Sequence, residues 1–238
     1  LEEILRSHFG SSASATKLLP TAMAAFDARE ALATAPKNAE GATKLYDDWA
    51  ASYDDTLISW GYEAPKVTAE MLTKYIPLDG AIADFGCGTG MSGTEMRNAG
   101  FTGELVGFDI SGESLKLASE KLVNDKPVYT GTVQGDLSKP LDTTKDATFQ
   151  AVACVGTLSY LHESYQTVFA EWRRVLKEGG VCIFTHKGAR QTEDFFKAMA
   201  DHKFEVVEKT DPMPYLPKNP DYVGPDHLIT YFVLKRGA

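Results

Sequence analysis

The chain has 238 residues and 26.0 kDa, 43% of them hydrophobic and 24% charged, enough for one full α/β domain with a decorating segment. A formal net charge of −9 argues against a nucleic-acid or anionic-membrane partner, because neutralising phosphates needs a basic face. No apolar run approaches the roughly 18 residues of a membrane span. The three cysteines, Cys87, Cys154 and Cys182, have neither metal-ligand nor redox spacing. They read as small buried thiols of a reducing, cytoplasmic compartment, with no metal implied; a reactive role is the alternative for Cys154, at the end of a strand facing the expected site.

The sequence starts at Leu1 and reads as trimmed. Residues 1–41 read as a partly helical extension. Its Ser/Ala-rich part, 1–16, is loosely held, with one helical turn at 2–8; Glu2 and Glu3 count against a targeting remnant. A helix over 20–34 starts at Pro20, and 36–41 is a break. A second helix is expected over 42–59, where Tyr46, Trp49 and Tyr53 stand at i, i+3 and i+7 on one face. That stripe suits packing on a sheet or a lid over a ligand. Asp47, Asp48, Asp54 and Asp55 read as a solvated face rather than metal ligands. A third helix, 64–75, stops at 77–80. Strands then alternate with helices: strands at 81–85, 104–109, 127–134, 149–154 and 181–185, helices at 91–99, 111–123, 165–176 and 192–202. The strands 204–209 and 228–234 pair as a hairpin across the proline-rich loop 211–225. This order predicts a Rossmann-like doubly wound α/β sheet of seven strands, mostly parallel with one antiparallel strand near the C-terminus. The N-terminal helices form the lid.

The most informative stretch is Asp84-Phe85-Gly86-Cys87-Gly88-Thr89-Gly90. A strand feeds a glycine-rich turn that opens a helix, so the backbone can turn tightly and approach a ligand. Free N–H groups at the helix entry favour an anionic or polar group. The spacing is Gly-x-Gly-x-Gly, not the dinucleotide fingerprint. Asp109 ends the next strand, where an acid accepts hydrogen bonds from ribose hydroxyls. The following Ile110, Ser111 and Gly112 offer no cation for a phosphorylated ribose.

DFGCGTG (84–90), GFDIS (107–111), QGDLS (134–138), CVGTLSYLH (154–162) and RVLKEGGVCIFT (174–185) come in one order. Together they resemble the class I S-adenosylmethionine-dependent methyltransferases over about residues 44–186. LYDDWAASYDDTL (45–57) followed by GYEAP (61–65) is similar to the Williams–Beuren-region methyltransferase-like proteins. The resemblance implies a methyltransferase domain over 42–238 with 42–62 as its lid, S-adenosylmethionine as cofactor and S-adenosylhomocysteine as product. It implies cofactor contacts from Tyr46, Tyr53, Asp84, Gly86, Gly88, Gly90, Asp109, Ile110, Asp136, Leu137 and Cys154. Asp136 would receive the adenine amine and Leu137 cover the ring; a turn-forming role for Asp136 is the alternative.

Ligands of open α/β sheets sit at the carboxyl ends of the strands. Trp49, Thr157, Tyr160, His162, His186, Lys187 and Arg190 are therefore the candidate substrate residues. His162, His186 and Tyr53 are the candidate catalytic ones. Methyl transfer needs alignment and exclusion of water, and a base only for a hydroxyl or ammonium nucleophile. His186 beside Lys187 and Arg190 equally forms a cationic cluster for a substrate carboxylate. With no nucleic-acid methyltransferase signature after the fourth strand, the expected function is methyl transfer to a small molecule. A carboxylated thioether such as methylthio-hydroxybutyrate, giving a sulfonium, is one candidate. The alternatives are methylation of a protein side chain and a cofactor-binding module without catalysis. The expected assembly is a monomer or weak homodimer.

Overall fold

The computed structural model describes residues 26–33 and 39–238. The turn expected at 2–8 and the first part of the helix expected over 20–34 lie outside them. Ala28–Ala33 is helix α1, followed by α2 (Ala39–Ser59) and α3 (Ala64–Leu72). The main strands are β1 (Ile82–Phe85), β2 (Leu105–Asp109), β3 (Gly131–Gln134), β4 (Phe149–Cys154), β5 (Leu176–Lys187), β6 (Phe204–Lys209) and β7 (Leu228–Arg236). They lie in one sheet in the order β3-β2-β1-β4-β5-β7-β6. β7 runs antiparallel to both neighbours, and the pairs from β3 through β5 are parallel. Met213–Pro214 adds a two-residue eighth strand beside the start of β7. The expected doubly wound, mostly parallel sheet with one reversed strand is what forms.

Both faces are covered, which is why β1 and β4 read as apolar runs rather than alternating ones. Ile82, Ala151, Ala153 and Ile183 point to the layer of α3, α4 (Met91–Asn98) and α5 (Gly112–Glu120), with Leu72, Met96 and Leu115. Ala83, Phe85, Val152 and Phe184 point to α6 (Tyr165–Val175) and α7 (Glu193–Asp201), against Phe169, Trp172 and Phe195. The period of two along each strand assigns successive residues to opposite layers. Asp84 is the exception among these inward positions: a carboxylate in the α3–α5 layer with no exposure.

Local boundaries shift for identifiable reasons. Ser111 caps α5 through a bond from the Ser114 N–H, as expected for a serine there. The helix stops at Glu120 because Asn124 and Asp125 take positive φ (51° and 61°) and fold 122–127 into a small hairpin. Gly179-Gly180 does not delimit β5. The strand begins at Leu176, beside Phe149, and its register jumps to Val181 beside Ala151, so the intervening residues bulge.

A third apolar cluster sits outside the sheet. Trp49 and Leu57 of α2 meet Ala28 and Leu216, with Phe26 and Trp60 packed around them. Arg29 pairs with Asp221 and ties α1 to the 211–225 loop. Among the described residues no helix is long and apolar enough to cross a membrane.

Candidate active site

A cavity of about 510 Å3 opens at the carboxyl ends of β1, β2 and β4 and is roofed by α2. Its floor is the turn after β1. Gly86 has φ +77°, and a Cβ there would lie 2.0 Å from Thr157 Oγ1, so this position must be glycine for both conformation and space. Gly88 (φ +53°) is different: a Cβ there would meet nothing within 4 Å. It would project into open space, leaving a bare backbone cradle at the cavity wall. Gly90 caps α4 in a left-handed conformation and is not on the wall; it packs against Tyr129 and Lys121 instead.

Asp109 lies on the wall at the end of β2. Its Oδ2 accepts the Gly88 N–H at 2.8 Å and its Oδ1 accepts the Ser111 N–H at 2.9 Å. Burial raises its proton affinity against those bonds. Each carboxylate oxygen retains a further lone pair. Ile110 follows on the same wall, and Asp136 and Leu137 face it from the turn after β3. Asp136 Oδ1 accepts the Ser138 N–H (3.0 Å) and hydroxyl (2.6 Å), and Oδ2 lies 3.1 Å from Lys139 Nζ. Burial pushes this carboxyl up, but the bonds from Ser138 and Lys139 outweigh it and leave it below the ordinary value. Asp136 thus shapes its own turn and also faces the cavity; the two readings of it coexist.

Besides Gly90, two more expected cofactor residues are off the wall. Asp84 is buried beneath the turn, where Oδ2 accepts the Ser92 hydroxyl (2.5 Å) and the Tyr129 hydroxyl (2.7 Å) while Oδ1 has no partner among the described residues. Burial raises its pKa to about 6. The Tyr129 hydroxyl also accepts the Gly93 N–H, so this carboxyl braces the start of α4. Cys154 has no exposure, and burial pushes its thiol up, which excludes a thiolate.

The roof carries Tyr46 and Tyr53 into the cavity. Burial raises both phenols well above their ordinary value, so they are donors rather than bases. Trp49, between them, is 1% exposed and belongs to the cluster with Phe26 and Trp60, away from the cavity. A stripe on one helical face is too coarse to separate two tyrosines that look down from a tryptophan that packs sideways. The acids expected to be solvated partly fasten this roof. Asp47 Oδ1 accepts the Ser111 hydroxyl (2.6 Å) and the Glu113 N–H (3.2 Å), and Asp54 bonds Thr89 and Lys121. Asp48 pairs with Lys44 one turn away, as a solvent-facing residue does.

Beyond β4, the chain makes two short 3-10 turns, Leu158–Tyr160 and His162–Ser164. Thr157, Tyr160 and His162 line the cavity there, facing Lys187 and Arg190 from the end of β5. His162 Nδ1 is buried without a partner among the described residues, and its Nε2 is 3.9 Å from the Glu163 carboxylate. His186 is not on the wall. It has no exposure, its Nδ1 is 3.1 Å from Ser159 Oγ, and its Nε2 is 2.9 Å from both the Tyr165 hydroxyl and the Arg190 carbonyl. Burial lowers its pKa to about 4. It is a neutral strut, which removes it as base and as substrate ligand.

Sequence reasoning missed the second tyrosine layer. The Tyr62 and Tyr215 hydroxyls meet at 3.2 Å behind Gly156, where a Cβ would be 2.3 Å from the Tyr215 hydroxyl. Tyr222 places its ring 5.3 Å from Lys187 Nζ. The Tyr62–Tyr215 contact joins segments 153 positions apart, and no local signal marks it. Ala39 and Ala42, at the start of the roof, also line the cavity without any motif to announce them.

Residues 82–180 match the methyltransferase domain family. A Bacillus subtilis protein named "Putative methyltransferase YqeM" is 30% identical over 63% of this chain and 59% of its own length. Human methyltransferase-like protein 27 is 33% identical over 48% of this chain and 46% of its own length. The chain thus spans about half to three fifths of these relatives. A TehB-like SAM-dependent methyltransferase from Corynebacterium glutamicum superposes with a TM-score of 0.55 at 20% identity, covering 71% of this chain and 87% of that one. Residues 82–180 are thus similar to a methyltransferase domain, and the chain has the fold of solved S-adenosylmethionine-dependent methyltransferases.

Proposed function

We propose that this protein transfers the methyl group of S-adenosylmethionine to a small-molecule acceptor. The observation that carries this reading is the bare Gly88 backbone beside the Asp109 carboxylate under a roof of two tyrosines. That set fits an adenosyl-amino-acid: Asp109 for the ribose hydroxyls, Asp136 and Leu137 for the adenine, the Gly86–Gly88 backbone with Tyr46 and Tyr53 for the methionine end. Bound there, the cofactor supplies an electrophilic methyl on a sulfonium. The chain's part is to align the acceptor and keep water out. Tyr46, Tyr53 and Tyr160 present ring faces that attract a cation.

A small acceptor is supported by the cavity, whose volume of about 510 Å3 falls in the range of about 300–1,000 Å3 typical of small-ligand sites. The 211–225 loop supports it too. Leu216 and Asn219 are buried and Asp221 is paired to Arg29, so the loop is packed down rather than shaped as a groove for a protein. A thioether acceptor giving a sulfonium, of the methylthio-hydroxybutyrate type, needs no base. That suits a cavity in which His186 is walled off and Tyr53 stays protonated. We also read residues 42–62 as the lid of one domain over 42–238, the protein as a cytoplasmic monomer or weak homodimer, and its kinship as lying with the Williams–Beuren-region methyltransferase-like proteins through 45–57 and 61–65.

The test is methyl-labelled S-adenosylmethionine incubated with the protein and a metabolite extract, with mass spectrometry of labelled products. Label in a small molecule supports the reading; label only in protein moves the acceptor to a side chain. Binding of NAD without binding of S-adenosylhomocysteine overturns it.

A further inference from the structure

We propose that Lys187 and Arg190 form a subsite for an anionic group, a carboxylate or a phosphate, carried by the methyl acceptor. The inference rests on the reading above that the acceptor occupies the Tyr160 end of the cavity, and it adds the chemical class of that acceptor.

Both side chains line the cavity, one at the end of β5 and one in the turn that follows it. Among the described residues, no carboxylate lies within ion-pair distance of either. Lys44, Lys74, Lys121, Lys139, Lys197, Arg29 and Arg174 each have an acid; Lys187 has none among the described residues although it is half-buried on a cavity wall. The acids on the cavity wall are committed elsewhere. Asp109 accepts Gly88 and Ser111, Asp136 pairs with Lys139, and Glu163 sits beside His162. What Lys187 has instead is two aromatic faces, its Nζ lying 6.0 Å from the Tyr160 ring centre and 5.3 Å from that of Tyr222. Ring faces attract an ammonium, but less than a carboxylate does. They hold the charge in place without neutralising it.

The arrangement carries a standing cost. Lys187 is half-buried, and burial together with the neighbouring Arg190 lowers its proton affinity. The Lys187 charge, with no acid beside it among the described residues, is disfavoured by desolvation and by Arg190. An anion between them removes both terms and gains charge-assisted hydrogen bonds. The subsite is also rigid. The Lys187 N–H donates to Ser159 Oγ at 3.1 Å, and the Arg190 carbonyl is held by the Tyr165 hydroxyl at 3.0 Å. His186, between them, holds the turn in place as a neutral group. The acceptor so defined is a compact molecule whose nucleophilic atom lies among the tyrosine rings and whose anion reaches Lys187 and Arg190.

The experiment follows backbone amide NMR signals of the protein saturated with S-adenosylhomocysteine. Acetate, acetamide and inorganic phosphate are titrated at constant ionic strength. The expected result is a saturable shift of Lys187, Gly188 and Arg190 with acetate or phosphate and none with acetamide. Lys187→Met and Arg190→Gln each weaken that anion at least five-fold, while the affinity for S-adenosylhomocysteine changes less than two-fold. Tighter acetate identifies a carboxylate acceptor, and tighter phosphate a phosphorylated one. Equal response to acetamide, no saturable response to either anion, or anion binding untouched in the variants overturns the subsite. Arg190 is exposed, so its variant stays readable if Lys187→Met fails to fold. Should S-adenosylhomocysteine itself not bind, the proposed function falls, and the same titration without it still reads the subsite.

Discussion

In the half of the cavity bounded by Gly88, Asp109 and Asp136, each carboxylate already has donors from the chain. In the half bounded by Tyr160, Lys187 and Arg190, neither cation has an acid within ion-pair distance among the described residues. The first half is shaped before any ligand arrives, because backbone N–H groups fix the acids where they stand. The second is electrostatically incomplete and is completed by what it binds. Preorganised polar groups favour tight holding of one constant ligand. A half-buried lysine beside an exposed arginine, with no acid of their own among the described residues, favours selection among variable ones by charge. The roof belongs to both: Tyr46 and Tyr53 look into the cavity, while Asp47 and Asp54, each one residue further on, bind the two ligand-facing turns through Ser111 and Thr89.

The comparison breaks if His186 is the acceptor-side base, and the largest expected effect tests that. Its folded pKa, about 4, lies below the ordinary 6.5, so as pH falls the unfolded chain takes the proton first. Its contribution is complete above about pH 6.5 and is lost progressively toward about pH 4, amounting to about 3 kcal/mol. Urea unfolding from pH 7 to 4 should show this loss in the wild type and lack it in His186→Gln. The alkaline side of the pH–rate profile should be the same in both. A lost ionisation near neutral pH in the rate of His186→Gln would restore it as a base.

Asp109→Ala comes next. Removing a preplaced carboxylate should weaken S-adenosylhomocysteine by about 1.5–3 kcal/mol, measured by calorimetry. Unchanged affinity would mean that this acid serves only the turn. The roof latches are smaller. Asp47→Asn and Asp54→Asn should each lose about 1 kcal/mol of cofactor affinity, seen in stopped-flow as faster release rather than slower capture. An effect confined to thermal stability would make them packing residues. Smallest is Tyr53→Phe, which should change stability by no more than about 0.5 kcal/mol and leave the pH profile of turnover unmoved, since the phenol is never ionised.

The same contrast decides how much the residues announced in advance. Gly86, Gly88 and Asp109 were legible because their roles are local. A turn that admits only glycine and an acid at a strand end leave marks within a few positions. β1, β4 and the reversed β7 were legible because burial on both faces leaves an uninterrupted apolar run. Asp84, Gly90 and Cys154 share those motifs, yet the motif does not say which members face the ligand and which brace the turn from below. The acceptor half was legible only as a list of polar groups after β4 and β5. Whether His186 or His162 faced inward depended on Tyr165 and Ser159, and the tyrosine wall depended on the 211–225 loop returning to Tyr62. Asp47 and Asp54 looked solvated because a charge on a helix carries no sign of the serine or threonine it will meet across the fold.

The most direct test of the account is a crystal structure of the protein with S-adenosylhomocysteine. The account predicts ribose hydroxyls on Asp109, the adenine against Leu137, the amino-acid end along Gly86–Gly88, and the sulfur turned toward Tyr160 and Lys187. A nucleoside bound anywhere else, or one inverted so that its base meets Lys187, would contradict it.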